Sequence, residues 1–214
     1  MPGKKKIIHT YPYDASLAVR MLRQKDPGLA RLMDRVGPYS LGLRDKKTPF
    51  QALLQSVVYQ QLSGKSAAAI HNRVMGLFPH RCASPKRMRT LNDSRLLEAG
   101  LSRAKVKAVK DLAARCMDGT VPHSLRLKNM QDDEVIECLQ QVRGIGEWTA
   151  QMLLIFHLGR PDVLPAGDLG VIKGFRMTYG LKQNPDPKQM LQHGERWRPY
   201  RTVATWYLWR ANYL

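Results

Sequence analysis

A chain of 214 residues with 35 Lys and Arg against 17 Asp and Glu carries a formal net charge of +18, which predisposes it to bind phosphate backbones by releasing their counterions. The plain alternatives are a solvated basic surface or a hold on acidic protein or anionic lipid. An apolar content of 43% with 24% charged residues fits one globular domain or two closely joined lobes. No run of about 18 apolar residues offers a membrane span. The basic start MPGKKKII lacks a signal peptide's apolar core, so an intracellular protein is expected. Cys82, Cys116 and Cys138 are widely spaced without C-x-x-C, and the six histidines show no H-x-x-x-H or H-E-x-x-H spacing. That argues against a disulfide framework, a zinc ribbon or an iron–sulfur cluster, and no protein-built metal site is expected.

Taken in chain order, the stretch IIHTYPYD (7–14) is short and β-like, with no strand partner in view. Residues 48–62, TPFQALLQSVVYQQL, open with Thr48 as N-cap, Pro49 at the first helical position and Gln51 three residues on, the capping-box spacing. Phe50, Leu53, Leu54, Val57 and Val58 then recur at one-face helical spacing. Gln61 falls within that apolar stripe on a helical wheel, so it lies at a frayed helix end or is aimed at something. SAAAIHNRVMGLF predicts a second helix ended by Pro79, and Ser84-Pro85 opens a short one. LSRAKVKAVKDLAARCMDG places Val106, Val109, Leu112, Ala113 and Cys116 on one face and ends at Gly119. Residues 132–142 form an amphipathic helix with Val135, Ile136, Leu139 and Val142 inward. Residues 148–158 are apolar nearly all round and predict a central buried helix. Helices over 169–179, from Asp186-Pro187 and from Pro199 complete an all-α fold of about nine or ten helices.

Between two of these helices lies GIGEWTA (144–150). Gly144 and Gly146 allow positive φ and leave the backbone bare. The helix that follows directs free N–H groups and a positive dipole end at the turn, which suits a phosphate. The alternative is a C-cap glycine and a tight helix–helix connection.

VRGIGEWTAQMLLIF resembles the helix-hairpin-helix of the DNA base-excision glycosylases, the HhH-GPD superfamily. DVLPAGDLGVIKGF (162–175) resembles the Gly/Pro-rich loop and aspartate that complete the signature. QSVVYQQLSGKSAAAI, GLSRAKVKAVKDLA and ERWRPYRTVATWYLW are similar to stretches of its alkylation-repair branch, the 3-methyladenine DNA glycosylase II (AlkA/Mag) type. The matches run from about residue 48 to 210 in the family's order.

The resemblance implies a two-lobed helical fold with a DNA-binding cleft, one lobe near 48–143, the other near 1–47 plus 144–214, and the hairpin at 142–150. It implies a monofunctional glycosylase that flips an alkylated purine out of duplex DNA and hydrolyses its glycosidic bond, leaving an abasic site. Asp168 matches the family's catalytic aspartate, which stabilises the oxocarbenium-like transition state and positions or activates water; it also reads as the N-cap of the helix over 169–179. Trp148 stands where glycosylase/lyases carry a Schiff-base lysine, so no lyase step is expected. It would stack on an electron-poor base or lock the hairpin as a core residue. Trp209 is a pocket aromatic of the family or a core residue beside Trp206. Met152 and Leu169 lie near the implied pocket, where relatives can have aromatic residues. Gly144, Gly146 and Thr149 would contact the DNA backbone, and Gln61, Leu62 or Ser63 would supply the wedge that fills the gap left by the flipped base. Lys173 and Arg176 would reach DNA or stay solvated. No cofactor is implied beyond a monovalent cation held by hairpin carbonyls. The expected partner is double-stranded DNA with alkylated bases, the expected state a monomer, in the cytoplasm or nucleoid of a bacterium or in a nucleus.

Three rivals stand beside this reading. A glycosylase/lyase for oxidised bases or mismatches predicts a lysine at position 148, often with a C-terminal four-cysteine cluster, and neither is present. A non-catalytic DNA-binding or damage-sensing module explains the hairpin, but Asp168, present in its expected context, argues against it. A basic scaffold explains only the charge.

Overall fold

The computed structural model describes residues 11–44, 47–62 and 64–214, and among these residues every regular element is helical, thirteen of them α-helices. Most of the β-like stretch 7–14 lies outside the described residues, and its last four residues form no strand. The chain divides into two compact units, one of Arg44–Leu153 and one made by the residues up to Leu43 together with Leu154–Leu214.

In the latter unit α1 (Ala15–Lys25) is capped by Asp14 and α2 (Pro27–Val36) by Asp26. Asp26 is only 2% exposed. Besides the Leu29 N–H at 3.0 Å it accepts Tyr179 Oη at 2.7 Å, Trp197 Nε1 at 2.9 Å and His193 Nε2 at 3.0 Å. Burial by itself raises the pKa of this carboxyl, but the four hydrogen bonds outweigh it and hold the group well below the usual carboxylate range.

The Arg44–Leu153 unit begins with α3 (Pro49–Tyr59), whose Thr48–Gln51 capping box forms as expected and whose five apolar stripe residues are all buried. There follow α4 (Gly64–Gly76), α5 (Pro85–Thr90) capped by Ser84, α6 (Asp93–Glu98) and α7 (Arg103–Met117). Val106, Val109, Leu112 and Ala113 of α7 are buried, while Cys116 is half-buried. Short α8 (Ser124–Asn129) precedes α9 (Asp132–Gln140). This last helix stops two residues earlier than its apolar spacing suggests, and Ile136 is only half-buried. α10 (Glu147–Leu153) is followed directly by a π turn over Leu154–Leu158.

The helix expected to be buried all round over 148–158 is not. Glu147 and Trp148 are exposed, Gln151, Met152 and Phe156 half-buried, because α10 packs only one side against α3 and α9. That packing also places 144–153 with the residues before them, so the boundary between the units falls after Leu153 rather than after 143.

Back in the other unit, α11 (Leu169–Tyr179), α12 (Pro187–Gly194) and α13 (Arg201–Ala211) complete the chain. α13 is its central helix, buried without interruption from Thr202 to Leu208. Its two buried threonines donate to the carbonyls of Arg160 and Val163. α11 lies so close to it that a Cβ at Gly174 would stand 1.9 Å from the Leu208 carbonyl oxygen. Helices α1, α2, α6 and α8 have no counterpart in the sequence expectation, although Asp26-Pro27 and Asn92 carry the same cap chemistry.

Candidate active site

The loop leading to Asp168 is tied down before it arrives there. Asp162 is held by Arg201 at 2.8 Å and Arg198 at 2.7 Å. The Val163 N–H bonds to Thr202 Oγ1 at 3.0 Å, and the Ala166 and Asp168 N–H groups close back on Leu164 and Pro165. Asp168 then has extended backbone and is half-buried. Its Oδ1 accepts the Val171 N–H at 2.8 Å, the cap bond that starts α11. The same oxygen accepts Trp209 Nε1 at 2.9 Å. The N-cap reading of this residue holds, and the same two hydrogen bonds keep its carboxylate in a fixed orientation.

Trp209 is therefore not simply a core residue. It is half-buried and stacked on Phe156, with centroids 5.6 Å apart and rings 17° from parallel. Trp206 occupies the core position instead, edge-on to Tyr39 and Tyr207. Asn212 Nδ2 donates to the Gly170 carbonyl at 2.9 Å and ties the first turn of α11 to the end of α13. Leu169 is 81% exposed beside the carboxylate. Chemically this is a carboxylate held next to the exposed Leu169 and the half-buried ring of Trp209, able to face a developing cation. Lys173 is exposed on α11, whereas Arg176 is half-buried with its Nε enclosed and unbonded.

In the Arg44–Leu153 unit the expected hairpin is present as α9, a tight turn and α10. The turn is closed by Ile145 N–H on the Val142 carbonyl at 3.0 Å, and Arg143 N–H is held by Asp111 Oδ2 at 2.7 Å. Gly144 has φ +77° and lies against α7, where an added Cβ would be 3.3 Å from that of Ala108. Gly146 does not share this backbone: it is not left-handed, and nothing lies within 4 Å of where its Cβ would point. The bare backbone is therefore needed for conformation at Gly144 alone. At Gly146 it leaves open surface.

Three of the expected contact residues behave differently from one another. Thr149 is 2% exposed, and its Oγ1 lies 3.2 Å from Gln60 Nε2, so its side chain faces inward rather than outward. Trp148, at the second position of α10, is 44% exposed, which removes the core alternative. Met152, one turn later on the same side, is half-buried.

Gln61 lies beyond the end of α3. The helix stops at Tyr59 because Lys105 Nζ takes the carbonyls of Val58 and Gln60, at 2.7 and 2.9 Å, and Gln61 then adopts φ +55°. It is exposed, as is Leu62 at 40%, while Ser63 lies outside the described residues. Burial holds the Lys105 ammonium below the usual lysine pKa. Gln60, which the sequence does not single out, donates to Gly144 O at 3.0 Å as well as to Thr149. No local pattern signals a contact to residues 84 and 89 positions away.

Comparison with known proteins gives a consistent result. The model of the HhH-GPD superfamily base excision DNA repair proteins matches residues 54–199. The chain is 36% identical over 195 residues to DNA-3-methyladenine glycosylase 1 of Schizosaccharomyces pombe, an alignment covering 88% of this chain and 84% of that protein. It is similar to the solved structure of the S. pombe 3-methyladenine DNA glycosylase in complex with abasic DNA, with TM-score 0.87, 35% identity, and coverage of 92% of this chain and 97% of the other. A DNA-3-methyladenine glycosidase from Bacillus halodurans superposes with TM-score 0.84 at 35% identity, covering 95% and 92%.

Proposed function

We infer the activity from the premise that this chain belongs to the HhH-GPD superfamily of base excision DNA repair proteins. It is a DNA glycosylase that excises alkylated purines, of the 3-methyladenine and 7-methylguanine class, from duplex DNA and leaves an abasic site. The observation that carries this reading is the Asp168 carboxylate, held in one orientation by the Val171 N–H and the Trp209 indole.

A base must leave the stack before its glycosidic bond can be reached. Alkylation of the ring leaves a cationic purine, so the electron pair of the breaking C–N bond neutralises the leaving base and no dedicated general acid is needed. The sugar carries the positive charge in the transition state, and the Asp168 carboxylate stabilises it. Water then adds to the anomeric carbon and gives up its proton to the carboxylate or to solvent. Trp148 has no amine, so no Schiff base forms at that position and the strand stays intact. Its exposed ring suits an electron-poor purine.

The hairpin's N–H groups and the chain's charge of +18 suit a backbone phosphate. A monovalent cation fits the hairpin only through second lone pairs, since the Val142, Gly144 and Gly146 carbonyls each already accept a hydrogen bond. No step of the hydrolysis depends on it.

The test is release of methylated bases from alkylated duplex DNA by the wild type and by Asp168→Asn, with strands examined before and after alkali. Asparagine keeps the helix cap, so the expected loss of release, with folding intact, isolates the charge. Strand breaks should appear only after alkali. Tight DNA binding without release by the wild type would overturn the reading in favour of a binding module.

A further inference from the structure

We propose that Gln60 is a positioning residue that ties the exposed residues Gln61 and Leu62 to the Gly144 turn, so that this pair and the hairpin meet DNA as one rigid edge. This deepens the glycosylase reading and rests on it.

The side-chain amide of Gln60 has two N–H donors, and both are spent on the hairpin: one on Gly144 O at 3.0 Å, one on Thr149 Oγ1 at 3.2 Å. One planar group thus binds both the turn, at Gly144, and the helix that follows it, at Thr149. Gln60 is itself held, since its carbonyl accepts Lys105 Nζ at 2.9 Å. The next residues, Gln61 and Leu62, are exposed, and Gln61 has the left-handed φ of +55°. A pair that begins with so strained a residue needs a fixed root.

α7 supplies the bench for both pieces. Lys105, Ala108 and Asp111 follow one another at three-residue spacing on one side of that helix. The first holds the end of α3, the second backs Gly144 and the third holds the Arg143 N–H. Gln60 closes the remaining side of this frame. If the hairpin grips a phosphate and the pair fills the space of a flipped base, the spacing between them sets where the pair enters the strand. Without the tie the pair would slip relative to the phosphate grip, and flipping would suffer while the hydrolytic step would not.

The measurement is single-turnover base release by Gln60→Met, which keeps the size of the side chain and removes both donors. Two duplexes are compared, one with the alkylated purine paired and one with it opposite an abasic site, where flipping costs little. We expect about a 10-fold slower release from the paired lesion, the scale of one or two lost hydrogen bonds, and a change within about twofold on the unpaired one. Equal slowing on both duplexes, or none on either, overturns the proposal. Should Gln60→Met fail to fold, Thr149→Val removes one acceptor at nearly constant shape and should give a smaller loss with the same split. If the wild type releases no base, the glycosylase reading fails, and the tie is read instead from affinity for duplex containing an abasic site. A several-fold weakening in Gln60→Met then supports it, and equal affinity overturns it.

Discussion

The indole N–H of Trp209 and the carboxylate of Asp168 meet at 2.9 Å, on the same oxygen that accepts the Val171 N–H. Two helices therefore orient one carboxylate: α11 through its cap and α13 through a side chain 41 positions away. Stacking on Phe156 holds the indole in the plane that makes this bond. Trp209→Phe should keep the stacking and remove only the donor. A hydrogen bond to a charged group predicts about a 10-fold fall in the rate of base release, with DNA affinity nearly unchanged. Single-turnover rates beside binding isotherms would check it; a loss of affinity with an unchanged rate would refute it.

The two glycines of the hairpin should separate stability from binding. Gly144→Ala forces an alanine to φ +77° and against Ala108, which should cost about 1–2 kcal/mol in unfolding free energy. Gly146→Ala meets nothing within 4 Å and carries no left-handed strain, so its stability should stay within about 0.5 kcal/mol of the wild type. Its methyl group would stand on the face offered to a phosphate. Denaturant melts should therefore rank Gly144→Ala as the weaker fold, and DNA titrations should show weakened binding in Gly146→Ala with a nearly unchanged salt slope, because the substitution removes no charge.

Gly174→Ala should damage the unit that carries Asp168. The added Cβ would lie 1.9 Å from backbone at Leu208, which no side-chain rotation can relieve. α11 and α13 must separate, at a cost of about 1–3 kcal/mol or more. Because these helices carry Asp168 and Trp209, base release should fall even below the melting temperature. Unchanged melting would contradict the observed approach of the two helices.

Asp26→Asn tests the buried carboxylate that Tyr179, His193 and Trp197 surround. Its folded pKa lies well below the unfolded value, so the wild type has this stability at pH values above about 4 and loses it progressively as the pH falls from there towards the depressed folded value. At neutral pH the variant should be less stable by about 2–4 kcal/mol. The gap should narrow on acidification below about pH 4. Denaturant melts from neutral to strongly acid pH would show it, and a gap independent of pH would remove the ionised carboxylate from the account.

Interactions that span only a few residues are legible in the sequence. The Thr48–Gln51 box, the Ser84 cap and the Asp168 cap are each made within three positions, so the spacing of residue types is enough to reveal them. The same holds for the apolar stripe of α3 and for the hairpin turn itself. Gln61 marks the limit. Helical-wheel geometry places it among apolar neighbours only if the helix continues, and it is Lys105, from another helix, that ends the helix first.

By itself, then, the sequence determined the all-helical class, most of the helix starts, the hairpin and the position of Asp168, because each depends on backbone groups satisfied by near neighbours or on a stripe of fixed period. Only the tertiary structure decided that Trp209 orients Asp168, that Thr149 turns inward, that Trp148 stays exposed and that Gln60 grips the Gly144 turn. Those outcomes depend on which helix faces are pressed together, and a hydrogen bond between residues 41 or 84 positions apart leaves no periodic trace in the chain that makes it.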